Sequence, residues 1–488
     1  MNALENTIQY NKVLHMGKVN SMIRLVCKKR IKDKLGRVVG YVLHGDGKEF
    51  KIDSNKLKSL IRSNKVDVIN LRLTSNNRLI QIKSNRDTYT EELIRKERIL
   101  GDRDRTSEYN DLDGNKFYVI RNSDNDYTLY IPNNVKNVLY MNDDDKTYRN
   151  IIDDALRQLK GILKVVGGGG LSTCKRMFCG CMMLTSIDLT KMKPNRINST
   201  EYMFMWCDSL IDINIEGLDT SNVTNMHSMF SGCYNLRSLK MSTLNTSNVE
   251  TMSYMFDDCM SLDRLDLRHF DTSKVKDMAY MFHQCLGLEE LNLRSFNTSK
   301  VKSMNSMFNN LLKLKTLDVS NFDTSKVEDM SEMFSDCKSL VSLDLSNFDV
   351  SNVKSMREMF LRSISLKELN LSSFNTRSVE DISFMFSYCE SLKSLDLSSF
   401  DTSKTRNMRG LFSDCTELES VNLSSFNTSR VHDMFSMFLC CSSLKDVDLS
   451  NFDMSHVGVG AGRLFVGCGV EWDFKTGKLM HRDIDRDS

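Results

Sequence analysis

Proline is almost missing from this chain, with two residues, Pro132 and Pro194, among 488. That excludes a Pro-rich stalk or spacer. No apolar run is long enough to cross a bilayer as a helix. The opening segment MNALENTIQYNKVLHMGKVNSM has no secretory apolar core and no lipoprotein cysteine after one. The expectation is a cytoplasmic site of synthesis; the alternative is the cell surface or secretion by a signal-independent route. The eight histidines are scattered singly, and none completes a nucleophile or metal motif. Gly167-Gly168-Gly169-Gly170 lacks the lysine of a P-loop and the context of a dinucleotide fingerprint, so it reads as a tight turn. No enzyme and no cofactor are expected.

What is present is a Met-Phe pair every 26 residues. The phenylalanines run Phe178, Phe204, Phe230, Phe256, Phe282, Phe308, Phe334, Phe360, Phe386, Phe412 and Phe438, and Phe465 arrives one residue late. Self-similarity at such a period is the signature of a solenoid, in which no repeat buries its apolar face alone.

One unit, Leu262 to Leu288, shows the parts. Leu262-x-x-Leu265-x-Leu267 alternates, which puts Leu265 and Leu267 on one face of a short strand. Phe270-Asp271-Thr272-Ser273 reads as a corner, where Asp or Asn suits a turn or a helix N-cap. Val275, Met278, Met281, Phe282 and Cys285 then recur at three and four, which predicts a short helix or helical turn with its stripe inward.

The L-x-x-L-x-L core resembles the leucine-rich repeat. With the corner FDTSxV and the segment MFxxC it resembles the BspA-like leucine-rich-repeat surface proteins, over roughly residues 171–470. The resemblance implies an α/β leucine-rich-repeat solenoid of about twelve repeats with a parallel concave sheet, and bacterial, mycoplasmal, protist or phage relatives that are mostly adhesins or proteins of unknown role. It brings no catalytic residues. The expected curvature comes from strands about 4.8 Å apart opposite helices that need roughly 8–10 Å. Leu311 and Ser363 replace the repeat cysteine, Thr405 the valine and Lys240 the strand Asp or Asn; these read as packing variations.

Ten of the 14 cysteines share one repeat position, which reads as a column of small buried residues in place of a disulfide framework. Charge is uneven. Residues 1–100 carry 22 Lys or Arg against 10 Asp or Glu, while residues 167–488 carry 34 against 42. Strand-like segments at Ile23–Val26, Arg37–Leu43 and Glu49–Ile52, a helical pattern at Asn55–Asn64 and a hairpin over Val66–Ile82 make a small α+β N-terminal module. It faintly resembles a domain of phage and mobile-element proteins of Gram-positive bacteria. Its run Lys28–Lys34 suits a nucleic-acid contact, a protein dock or a solvated face. Residues 1–100 are this module with a connector helix at 88–100. Residues 101–170 form a linker and cap that includes a helix Tyr148–Leu163, and residues 171–488 form the solenoid with its C-terminal cap, where Trp472 and Phe474 close the core ahead of a charged tail.

The outward strand positions mark the candidate site: Asp266, Asn292, Asp318, Asp344, Asn370 and Asp396, with Arg264, Arg268, Glu290 and Arg294 breaking the regularity. Like charges stacked along a sheet repel, and interleaved asparagines dilute that. Two readings stand: a column braced by side-chain hydrogen bonds, or a face that binds a protein, a glycan or, least of all, Ca²⁺. A protein partner is expected first, with nucleic acid at residues 1–100 as the alternative.

Overall fold

The computed structural model describes residues 106–136, 138–141, 148–445, 447–453, 455, 463–473 and 478–481, and before them the backbone of six strands. The chain divides into two compact units, Met1–Asp104 and Arg105–Ser488.

In the first unit β1 (Ile23–Lys32), β2 (Val38–Gly45), β3 (Lys48–Asp53) and β4 (Val66–Val68) form one sheet in the order β3-β2-β1-β4. The first three are antiparallel neighbours, and β4 joins β1 in parallel. A separate hairpin pairs β5 (Leu71–Leu73) with β6 (Leu79–Gln81). The expected helices at 55–64 and 88–100, and the side chains of the Lys28–Lys34 run, lie outside the described residues.

The second unit begins with an antiparallel meander, β7 (Thr106–Asn110), β8 (Lys116–Ser123) and β9 (Asp126–Ile131). A small hairpin, β10 (Leu139–Met141) with β11 (Tyr148–Asn150), leads into α1 (Ile151–Leu156). The helix is shorter than expected. Ile152 and Leu156 are buried, but Leu163 belongs to β12 (Gly161–Gly167), which pairs in parallel with β9. A strand partner along its whole length outweighs the helical spacing of that segment. β13 (Leu184–Met192), β14 (Asp212–Asn214) and β15 (Ser238–Lys240) then continue the same seven-stranded sheet, so the meander sits on the first rung as a cap. The four glycines make the turn between cap and solenoid. Gly167 and Gly168 have φ of 93° and 81°, the left-handed region glycine favours.

The solenoid is a β-solenoid of about ten turns, with few helices. The predicted helical face is instead a run of β-turns. In the rung just before the unit Leu262–Leu288, Tyr254 and Asp258 both have φ of 59°, and the same two places are left-handed in nearly every rung. A right-handed helix cannot continue through such residues. Hydrogen bonding explains why they are held. The N–H groups of Met252, Tyr254, Phe256 and Asp258 donate to the carbonyls of Asp277, Ala279, Met281 and His283 in the next rung, at 2.9–3.1 Å. Those of Met255, Asp257 and Cys259 close turns within the rung on Met252, Tyr254 and Phe256. A parallel bridge ladder runs unbroken along this face from Ser199 to Asp433. The inward stripe is as predicted, since Val275, Met278, Met281, Phe282 and Cys285 are all buried.

With turns in place of helices among the described residues of this face, the helix spacing from which fanning was expected does not apply. The strand face is the less continuous side. β16 (Ser342–Asp344) pairs with β17 (Glu368–Asn370), and β18 (Ser394–Asp396) with β19 (Ser420–Asn422), yet no strand is assigned between Lys240 and Ser342. At the far end β20 (Val470–Asp473), at the close of the expected last repeat, forms an antiparallel hairpin with β21 (Lys478–His481), which lies in the expected tail. The side chains of Trp472 and Phe474 lie outside the described residues.

Beneath both faces the repeat phenylalanines make a stack of rings from Phe178 to Phe465, with centroids 5.1–6.0 Å apart. Phe465 keeps its place despite the extra residue. Each cysteine is more than a small plug. The Cys285 thiol donates to the Phe256 carbonyl at 3.1 Å, and that oxygen also accepts the Cys259 N–H at 3.2 Å. Ser363 makes the same contact to the Phe334 carbonyl at 2.8 Å, which is why a hydroxyl fits a buried apolar column. Ser363→Cys is therefore expected to be nearly neutral, while Ser363→Ala leaves a buried acceptor unmet and costs about 1–3 kcal/mol. Equal urea midpoints for the two variants would refute the hydrogen-bond role.

Candidate functional site

The strand face carries the predicted column, and most of the column is occupied with holding the fold. Each outward Asp or Asn turns its side-chain oxygen onto the N–H two residues on. Asp266 accepts from Arg268 at 3.2 Å, Asn292 from Arg294 at 3.2 Å, Asp318 from Ser320 at 3.1 Å and Asp344 from Ser346 at 3.0 Å. Asn370 and Asp396 do likewise with Ser372 and Ser398. The Asp–Asn alternation has a direct role in the later rungs, where two amides donate to the carboxylate one rung back: Asn370 to Asp344 at 3.2 Å and Asn422 to Asp396 at 2.9 Å. Hydrogen bonds of this kind hold the Asp344 and Asp396 carboxyls below the usual carboxylate range, the backbone N–H contributing most.

The charged island differs. Arg268 forks onto Asp266 at 2.9 and 2.7 Å, and the guanidinium holds the Asp266 carboxyl well below its ordinary range. Arg294 approaches Asp318 at 3.6 Å. Arg264 and Glu290 have no such tie among the described residues. All of these side chains are exposed, and they lie in the rungs between β15 and β16.

The corner holds a column that sequence reasoning missed. Thr272 Oγ1 donates to the Asn297 carbonyl at 2.9 Å and accepts the Asn297 N–H at 2.7 Å. Thr246 with Asp271 and Thr298 with Asp323 repeat the arrangement. The recurring threonine was the visible signal. Asp271 caps a turn here, accepting the Ser273 N–H at 3.0 Å, and no helix follows it.

On the turn face an aromatic and histidine cluster gathers in the early rungs. Tyr254 stacks on Tyr280 at 4.4 Å, and His227 lies edge-on to Tyr202 and Tyr254. Burial, with Tyr280 beside it, pushes the Tyr254 hydroxyl up to about 12. His283 Nδ1 lies 2.7 Å from Asp257. The columnar thiols are unfit as nucleophiles, since burial pushes Cys337 and Cys415 up to about 12 and only a thiolate attacks.

The family model described as "Mycoplasma protein of unknown function, DUF285" matches residues 172–290, 198–316, 287–394 and 363–469. Together these matches span more than half of the 488 residues. The chain belongs to this family. The DUF285 matches coincide with the stacked rungs and stop short of the cap. No curated protein matches this DUF285 chain. Among solved structures it is similar to a leucine-rich cell surface protein from Faecalibacterium prausnitzii, at 16% identity over 71% of this chain and 96% of that one, with a TM-score of 0.33. It is also similar to the pneumococcal vaccine antigen PcpA, at 14% identity over 72% and 89%, with a TM-score of 0.31. Scores at this level lend nothing to a functional argument. No helix among the described residues is long and apolar enough to cross a membrane.

Proposed function

We propose that this DUF285 chain is a non-enzymatic binding solenoid of the BspA-like kind, recognising a protein or, as the second class, a glycan. The contact site is the charged island of the strand face, around Arg264, Arg268, Glu290 and Arg294. The observation that supports it is the contrast on that face. Asp344, Asn370 and Asp396 are tied into rung-to-rung bracing, whereas Arg264 and Glu290 stand exposed with no ion-pair partner among the described residues. Side chains left free on a rigid repeat scaffold suit recognition, and arginine is enriched where binding energy concentrates.

In this reading residues 171–488 are the binding solenoid, 101–170 its linker and cap, and 1–100 a basic module that docks on a partner or on nucleic acid. The test is Arg264→Glu with Arg294→Glu, measured against a partner captured on the immobilised full chain. Affinity is expected to fall at least tenfold, on the order of 1.4 kcal/mol, with the melting transition unmoved. Unchanged affinity would place the contact elsewhere.

A further inference from the structure

The position directly after the repeat cysteine forms a column along the edge between the turn face and the strand face. Its character changes partway along the solenoid. In the early rungs it is Met182, Tyr234, Met260, Leu286 and Leu312; later it becomes Lys338, Glu390, Thr416 and Ser442, with Ile364 between. Backbone and surroundings repeat throughout, so the fold accepts polar residues at this place and does not require the apolar ones. The early column has one polar member, Asp208. In that rung Trp206 stands two residues away and is 49% exposed. Its indole Cδ1 lies where a Cβ on Gly232 would come within 2.6 Å, so it reaches over the next rung and adds an exposed ring beside the column. Met182 is 51% exposed, and Tyr234, Met260, Leu286 and Leu312 are half-buried. An apolar ridge results, interrupted at Asp208.

We infer that this ridge is a docking surface for an amphipathic α-helix of a protein partner, one with basic residues along a single edge. Spacing selects the helix. The phenylalanine rings under these rungs are 5.3–6.0 Å apart, which brackets the pitch of about 5.4 Å per helical turn. An extended peptide presents same-face side chains roughly 6.6–6.8 Å apart and falls out of step within a few rungs. Charge selects the edge. Asp208 within the column and Asp258 on its turn side are acidic, while the strand side is mixed, with Arg237 beside Asp263. Aromatic and apolar anchors within a polar rim are the composition of an energetic hot spot. The ridge is separate from the strand-face island, so it stands whether or not that site is correct.

Trp206 is one of two tryptophans, so a full chain carrying Trp472→Phe reports on the ridge by fluorescence. The probe is a synthetic peptide of about 20 residues, long enough at 1.5 Å per residue to span the ridge, with a leucine stripe and lysines along one edge. A saturable blue shift of Trp206 is expected. Met260→Asp with Leu286→Asp should raise Kd at least tenfold, as should glutamates in place of the peptide's lysines. Met182→Asp, at a more exposed site, is expected to weaken binding in the same direction and serves if the double variant fails to fold. Arg264→Glu with Arg294→Glu should leave peptide binding unchanged. The proposal is overturned by the absence of a saturable shift, by equal affinity for a scrambled peptide of the same composition, or by loss of binding in the strand-face variant. A shift produced by raising the protein concentration alone would also overturn it, since the ridge would then join two copies of the chain.

Discussion

Replacing Phe308 with alanine is expected to destabilise the solenoid by about 3–5 kcal/mol, the usual cost of removing a fully buried aromatic ring. The ring is stacked at 6.0 Å on Phe282 and 5.6 Å on Phe334, and it also meets Phe322 at 6.3 Å. Its removal therefore empties two rung interfaces at once. In a stack where each rung contacts only its neighbours, stability is close to a sum of rung and interface terms. Weakening two adjacent interfaces near the middle should split unfolding into two steps and open a protease-sensitive site between the halves. Urea unfolding followed by limited proteolysis measures both. A single transition within about 1 kcal/mol of wild type would mean that the rings are not the main mechanical link between rungs.

The second large effect is expected where the cap meets the first rung. An alanine Cβ at Gly170 would lie 2.1 Å from the Asn133 carbonyl oxygen and 2.6 Å from that of Val135. At Gly167 it would lie 2.1 Å from the Ile131 oxygen, on a residue whose φ is already 93°. Both obstacles are backbone, so relief requires moving the cap itself. A loss on the order of 3 kcal/mol follows for either variant, with hydrogen exchange rising first in β9 and β12. Gly114→Ala is the control. Its φ of 79° carries a similar conformational penalty, but nothing lies within 4 Å, so about 1–2 kcal/mol is expected. If all three variants lost the same amount, the turn would be ordinary and the close approach of cap to rung unimportant.

Much of the fold was readable because burial follows spacing. Val275, Met278, Met281, Phe282 and Cys285 point inward whether the chain is a helix or a run of turns, and that is why the stripe was right and the helix was not. A spacing of three and four records which side chains share a face. It does not record the sign of φ, and Tyr254 and Asp258 are not residues that advertise a left-handed backbone. Only the next rung's carbonyls make that conformation favourable, and a single repeat contains none of them. The Tyr148–Leu163 segment failed for a similar reason, since the strand partner of Leu163 lies far back in the chain, at Tyr127. In the candidate site the Asp–Asn alternation was visible, but the fork of Arg268 onto Asp266 depends on side-chain geometry. The reach of Trp206 over Gly232 depends on two rungs read together.

The hydrogen bonds of the turn face have a consequence for the ends of the molecule. In each rung several N–H groups point toward the C-terminus and one, as in Lys276 to Glu250, points back. The peptide dipoles on this face therefore add along the axis, leaving partial negative charge at the first rung and partial positive charge at the last. The two ends are chemically unlike. At the first, carbonyl oxygens face outward, and Asn150 at the start of α1 donates its amide to Lys175 O at 3.0 Å. Any cut between rungs exposes mostly acceptors of the turn face on one side and mostly donors on the other, so the two cut surfaces are complementary and unlike.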